Sequence, residues 1–399
     1  MSSLQESLRG NLRQYGIMAA MVIVVAFFGV YTSGRSLMPA NISALIGQNA
    51  YVLIIALGMI MIIIAGHIDL SAGSVVAFIG AVLGWSMYHW HWPWPVAVVL
   101  ALVIGVAVGA WHGFWVAFVR IPAFIVTLAG MLIFRGLAVV IAGITMAPFD
   151  DSFVQIASGS VPGFLGSVGN FEVGGAPATL DLVTLAVGVL GVGGLAWSQF
   201  RTRNSQVKHG ITPEPMALFV GRLVVIAVAI LALATLLALS SGGTPILLVI
   251  VGVLVFVFSF VLNRTVFGRH IYAIGGNLNA AILSGINTRR TNFMIFAQMG
   301  LLTGIAAVVV TSRANASAGA VGTGFELDAI AACFIGGTAV TGGVGRISGA
   351  MVGALIMGVL NMGLSIGGVP SSWQQVVKGL VLLAAVAFDL LSKRRAKVA

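Results

Sequence analysis

Long apolar runs alternate with short polar, glycine- or proline-bearing breaks along almost the whole chain. A hydrocarbon core about 30 Å thick is crossed by roughly 20 apolar residues in helix. Runs of that kind lie near 16–32, 49–65, 72–89, 95–118, 123–143, 180–199, 222–240, 246–263, 293–311, 327–343, 347–364 and 374–391. The pattern predicts an all-α polytopic membrane protein of about 10–12 transmembrane helices. Residues 1–399 read as a single transmembrane domain.

Composition agrees with the pattern. Charged residues make up 8% of the chain and hydrophobic ones 59%, against roughly 25% charged in an average soluble domain. A soluble enzyme with an added anchor is excluded. The formal charge of +10 would suit a nucleic-acid partner, but the basic residues fall in short clusters between spans and no groove-reading motif accompanies them, so none is expected. Such clusters are what the positive-inside rule produces. With both termini inside, all of the 20 Lys and Arg except Arg35, Arg135, Arg313 and Lys378 fall on the cytoplasmic side. The expectation is therefore N-in/C-in. The loop 145–180, with Asp150, Asp151 and Glu172 but no Lys or Arg, then faces outward. Arg9 and Arg13 precede the first run without a cleavage pattern after it, so that helix is expected to be retained.

No covalent chemistry is encoded. H-E-x-x-H and paired His/Cys ligand sets are absent, and the one G-x-S-x-G string, Gly363–Gly367, lies inside an apolar run instead of at a strand-to-helix turn, so neither an enzyme nor a metal or cofactor site is expected. Cys333 stands alone in the apolar run "AACFIGG" and reads as packing; His89 and His91 in "MYHWHWPWP" read as part of an interfacial aromatic belt. The phosphate-binding pattern G-x-x-x-x-G-K-[ST] is missing too. If ATP drives this protein, a separate chain binds it.

Glycines spaced four apart mark close helix contacts: Gly105, Gly109 and Gly113, then Gly345, Gly349 and Gly353. Each stripe follows an acidic apolar motif, "GHIDLSAGS" or "GFELDAIAA", which hints at an internal repeat. Acids near or within spans are expensive and should face a partner or a wet path. Asp69, Glu326, Asp328 and Asp389 are the candidates, with Asp181 at a span entrance. Arg135, well inside its span, should find a counter-charge in Asp69, Glu326 or Asp328. Asp69 with Ser71 and Ser74 suits the capping of a helix start. The set Asp69, Ser71, Glu326, Asp328 and Arg135 is thus a candidate translocation path, with capping and ion pairing as the structural alternative.

The loop 264–292 holds "GRHIYAIGGNLNAAILSGINTRR". Asn277 is a good N-cap and Gly285 a good C′ residue, so "LNAAILS" should form about two helical turns. Leu278, Ala281 and Ile282 share one face, with Ala280 and Ser284 beside it. Flanking arginines place the helix in the cytoplasm, where its small apolar area suits a groove on a partner protein better than lipid.

The strings "GHIDLSAGS", "PAFIVTLAGMLIFRG", "GRHIYAIGGNLNAAILSGIN", "ELDAIAACFIGGTAVTGGVGRISG" and "QQVVKGLVLLAAVAFD" resemble the permease subunits of bacterial ABC sugar importers, in the branch handling ribose, xylose, arabinose and galactosides. The resemblance implies a type II ABC importer-like fold in the bacterial inner membrane. It also implies a cytoplasmic ATPase subunit, a periplasmic sugar-binding protein and a second permease copy as partners, with membrane lipid around them. By the same resemblance Gly275, Gly276, Asn277, Ala280, Ala281, Ser284 and Gly285 fall on the helix that couples to the ATPase. Residues 165–243 read as an insertion relative to shorter ribose-type members, adding a helix pair; long members are similar to xylose permeases. An ion-coupled sugar symporter is the alternative that the membrane-embedded acids keep open.

Overall fold

A computed structural model describes residues 3–173, 176–210, 213–240 and 242–398. The side chains of 1–15 and 388–399, and with them Arg9, Arg13, Asp389, Lys393, Arg394, Arg395 and Lys397, lie outside the described residues.

Proline sets where many helices begin. Pro39 stands in the first turn of α2 (Pro39–Ile64), while Pro93, Pro122, Pro215 and Pro245 directly precede α4 (Trp94–Phe114), α5 (Ala123–Ala142), α8 (Met216–Ala238) and α9 (Ile246–Arg264). A helix start leaves its first N–H groups without partners, so the missing proline N–H costs nothing there. The remaining helices are α1 (Ser3–Tyr31), α3 (Ala72–Tyr88), α6 (Asp151–Ser158), α7 (Leu182–Lys208), α10 (Val266–Gly276), α11 (Leu278–Leu283), α12 (Thr288–Ala314), α13 (Phe325–Ile335), α14 (Ile347–Ile366) and α15 (Ser371–Val398). Between α6 and α7 lies the one sheet among the described residues, an antiparallel hairpin of β1 (Ser167–Val173) and β2 (Ala176–Asp181).

Among the described residues eight helices are long and apolar enough to cross a bilayer, and Gly16–Tyr31 and α3 are shorter apolar helices. The last expected span, 374–391, lies inside α15. One expectation needs correction. The run 327–343 is helical only to Ile335; the chain then leaves the helix through Gly337, Gly342 and Gly343, all at positive φ. Apolar composition continued past a break that the backbone makes. Residues 145–180, expected as a plain loop, contain α6 and the hairpin.

Burial ranks the helices. In α2, 89% of the most apolar window is buried, against 17% in α7 and 6% in α8. The first is the central helix, touching α12, α13, α14 and α9; α7 and α8 pack mainly on each other at the rim. Lipid tails give helices no hydrophobic reason to associate, so close contact depends on small residues. Both glycine stripes serve contacts within the chain. A Cβ on Gly109 would come 2.3 Å from the Phe296 carbonyl oxygen of α12, and one on Gly349 2.1 Å from the Gly336 carbonyl oxygen at the end of α13.

Those last distances leave no room for a side chain. Gly349→Leu should reduce the yield of folded protein and lower its melting temperature in detergent, at an overpacking cost of about 1–3 kcal/mol or more. Wild-type yield and melting would remove the close α13–α14 contact.

Candidate functional site

Two helices begin inside the bundle. After α2 ends at Ile64 the chain runs non-helically through 65–71, held by the Thr127 hydroxyl donating to the Ile68 carbonyl (3.3 Å), before α3 starts. Residues 315–324 lead likewise, without an α-helix, into α13. Phe325, the first residue of α13, stacks on Tyr51 at 3.6 Å between ring centroids. Tyr51 lies thirteen residues before Ile64 on α2, so α13 begins about 20 Å from that end of the bundle.

The two starts meet backbone to backbone. A Cβ added at Gly73 would lie 2.1 Å from the Gly322 carbonyl oxygen and 2.2 Å from Glu326 Oε2. Each start exposes N–H groups and the positive end of a helix dipole inside the bundle. A carboxylate stands at each. Asp69 Oδ1 accepts from the Ser71 amide (2.8 Å) and hydroxyl (2.6 Å), while Glu326 and Asp328 occupy the first turn of α13. Glu326 is buried, and its Oε2 has no hydrogen-bond partner. Asp69 thus folds the turn that leads into α3, but neither its carboxylate nor the Ser71 hydroxyl accepts from a first-turn amide of that helix, so the expected side-chain cap is not made.

Asp328 anchors a second cluster. Its Oδ2 accepts from Tyr51 Oη (2.7 Å), Lys378 Nζ (3.0 Å) and Asn361 Nδ2 (3.4 Å). Asn361 Nδ2 also donates to Asn49 Oδ1 at 3.1 Å. Helices α2, α13, α14 and α15 are therefore joined through one carboxylate. Arg135 was expected to find a counter-charge in Asp69, Glu326 or Asp328; Glu326 is the acid whose charge acts on it, while its hydrogen bonds go to the carbonyls of Gly319 (3.1 Å) and Val321 (2.6 Å). Its Nη1 alone donates to both carbonyls, which the non-helical approach to α13 leaves free.

At the end of the bundle near Ile64, α11 is capped as expected. Asn277 Oδ1 accepts from the Ala280 amide (3.0 Å). Gly285, at φ 79°, closes the helix with its amide on Ile282 O (3.0 Å) and the Ile286 amide on Ala281 O (3.1 Å). These are the paired bonds of a Schellman motif. The shared face drawn from spacing is corrected: Ala281 is 3% exposed and turned toward the protein, whereas Leu278, Ile282 and Leu283 stand out at 48%, 52% and 88%. Gly275 also faces inward, since a Cβ there would come 1.6 Å from the Ile64 carbonyl oxygen. Gly276, Asn277, Ala280, Ser284 and Gly285 are exposed. Tyr272 Oη donates to Gly345 O (2.7 Å) and the Gly343 amide to Ile64 O (2.8 Å). Burial raises the Tyr272 phenol above its ordinary value, so it stays protonated as that donor at neutral pH. Helix α10 is thus fastened to the end of α2.

A family model described as "Branched-chain amino acid transport system / permease component" matches residues 41–386. The chain belongs to this permease family. The xylose transport system permease protein XylH of Escherichia coli (strain K12) is 39% identical over 393 residues, covering 96% of this chain and 93% of that protein. Its namesake from Haemophilus influenzae is 36% identical over 387 residues, covering 96% and 98%. The ribose import permease protein RbsC of E. coli (strain K12) is 33% identical over 349 residues, covering 88% and 85%. No solved structure matches. The permease is a multi-pass protein of the bacterial inner membrane, a transport subunit and not an enzyme.

Within the permease, the sequence pointed to Asp69, Ser71, Glu326 and Asp328 but missed Lys378, Tyr51, Asn49 and Asn361. Lys378 in "QQVVKGLVLLA" was one signal available: a lone lysine in an apolar run demands an acid. Removing one partner of a buried pair leaves the other charge uncompensated, at a cost of about 3–5 kcal/mol. Lys378→Met and Asp328→Asn should each lower the melting temperature clearly, and the double variant should recover much of the loss. Additive losses in that cycle would show that the pair contributes no coupling.

Proposed function

We propose that the chain is the membrane-spanning subunit of an ATP-driven importer of monosaccharides, D-xylose or a group of related sugars. The observation carrying this reading is the resemblance over nearly the whole length to proteins named as xylose transport permeases. An inward-acting machine of this kind needs an ATPase on a separate chain, because no nucleotide-binding motif exists in this one. It also needs a periplasmic binding protein to bring sugar to the outer loops.

The exposed side of α11 suits the ATPase. Three large apolar side chains project from a helix capped at both ends and flanked by Arg264, Arg269, Arg289 and Arg290. A small rigid helix with apolar anchors is what a groove on a partner protein takes. Docking forces would reach α10, then the Gly275–Ile64 contact, then the 65–71 segment and the start of α3. Two copies of the permease would form one path, with Asp69, Ser71, Glu326, Asp328 and Arg135 holding the broken helices that border it. The bistable packing between them, biased by ATP and the binding protein, performs the transport. N-in/C-in orientation follows from the basic loops, and 165–243 acts as an insertion added to the shared bundle.

Ala281 is a seat, not an anchor, so the discriminating change is made at exposed positions. Ile282→Asp combined with Leu283→Asp should leave melting unchanged and abolish co-purification of a Walker-motif ATPase from a mild-detergent pull-down, along with sugar uptake. Retention of the ATPase at wild-type stoichiometry would reject α11 as its docking helix. Uptake that persists without any ATPase but collapses with an uncoupler would favour an ion-coupled symporter.

A further inference from the structure

The rim pair α7–α8 has a feature that neither the transport path nor the coupling helix uses. Where the two helices approach Lys208 and Met216, a cavity of about 250 Å³ opens between them. Gln199, Thr202, Arg203, Gln206, Glu214 and Arg222 supply its polar lining. Both guanidinium groups lie over the ring of Phe219, at 5.0 and 5.9 Å, and that ring is 3% exposed. Cation–π contact and a buried ring hold them in place.

Charge in this cavity is not balanced. Glu214 is its one carboxylate: Arg222 Nη2 reaches Glu214 Oε1 at 2.9 Å, and Arg203 Nη1 donates to the Glu214 backbone carbonyl at 2.7 Å. Two guanidinium groups carry ten N–H donors between them, so donors remain free. Arg201 and Lys208, exposed on the same helix, add to the positive field.

Directly below, a shallow apolar crease of about 30 Å³ runs between the same helices, lined by Leu195, Ala196, Leu223, Ile226, Ala227 and Ile230; it offers a surface for a chain to lie along, not a pocket that encloses one. Gln199 borders both the cavity and the crease. Depth fits as well. From Leu182 to Arg203 is about 32 Å along α7, and from Ala238 back to Arg222 about 24 Å along α8, where a long arginine side chain can reach outward to the interface. With a hydrocarbon core about 30 Å thick, the cavity lies at headgroup level and the crease within the acyl region. The outer faces of both helices are open rather than covered by the bundle.

We propose that α7–α8 binds one anionic phospholipid, its phosphate in the Arg203–Arg222 cavity and an acyl chain lying along the apolar crease below. Surplus positive charge selects anionic over zwitterionic headgroups, and the crease selects a lipid over free phosphate. The bound lipid braces two helices that otherwise touch the bundle at few points.

Native mass spectrometry of permease extracted from bacterial membranes in mild detergent tests this. Wild type should retain phosphatidylglycerol or cardiolipin above the level of phosphatidylethanolamine. Arg203→Gln with Arg222→Gln should cut that retention about tenfold or more. Ala196→Phe, which fills the crease and leaves both arginines, should cut it as well, and it decides alone if the arginine variant melts early. Unchanged retention in Ala196→Phe overturns the site. Millimolar phosphate raising the melting temperature of Ala196→Phe as much as that of wild type would assign the cavity to a free anion. Loss of dimer mass with lipid retention intact would assign the face to a second copy.

Discussion

In a bilayer no water waits to satisfy a backbone group, so a helix that starts inside the protein must bring its own partners. The rest of this structure depends on two such starts, those of α3 and α13, pressed together at Gly73 and Gly322. Asp69 folds the turn before one start, Glu326 and Asp328 sit in the first turn of the other, and Arg135 takes up carbonyls of the chain leading in. Asp69 and Arg135 bond groups of the non-helical segments, Asp328 takes its partners from Tyr51, Asn361 and Lys378 on neighbouring helices, and Glu326 Oε2 stays buried without a hydrogen-bond partner.

The central helix ties this junction to the surface. α2 carries Tyr51 and Asn49 at the level of the α13 start, and its last carbonyl, at Ile64, accepts the Gly343 amide beside Gly275. The exposed helix α11 therefore sits on a packed seat only a few contacts from the inner helix starts. Loose tethering there would dissipate motion. Backbone contact at Gly275 leaves no slack to do so.

How much of this is legible in the residues varies with the physics. Hydropathy locates nearly all spans because the bilayer imposes a length on them. The caps of α11 are legible because Asn277 and Gly285 act on their own neighbours; Asp69 with Ser71 is legible as a local turn, though the cap expected of it is not made. The glycine stripes announce close contact without naming the partner helix. What fails is whatever another segment decides. The run 327–343 stays apolar across the point where Gly336–Gly343 leaves the helix, so composition cannot show the half-length α13. Ala281 turns inward because α10 seats it, and a six-residue helix is too short for its pattern to reveal a buried face. Arg135 finds carbonyls and Asp328 finds Lys378 because of where 315–324 and α15 run, which no local spacing encodes.

The contact between the two helix starts can be tested without knowing the cargo. Gly73→Ala adds one methyl group, where 2.1 Å separates that position from the Gly322 carbonyl. Gly136→Ala adds the same methyl on α5, where nothing lies within 4 Å. Melting temperatures of the two purified variants should diverge, with Gly73→Ala several degrees below wild type and Gly136→Ala at or above it. If Gly73→Ala melts with the wild type, the backbone junction is not what organises the interior.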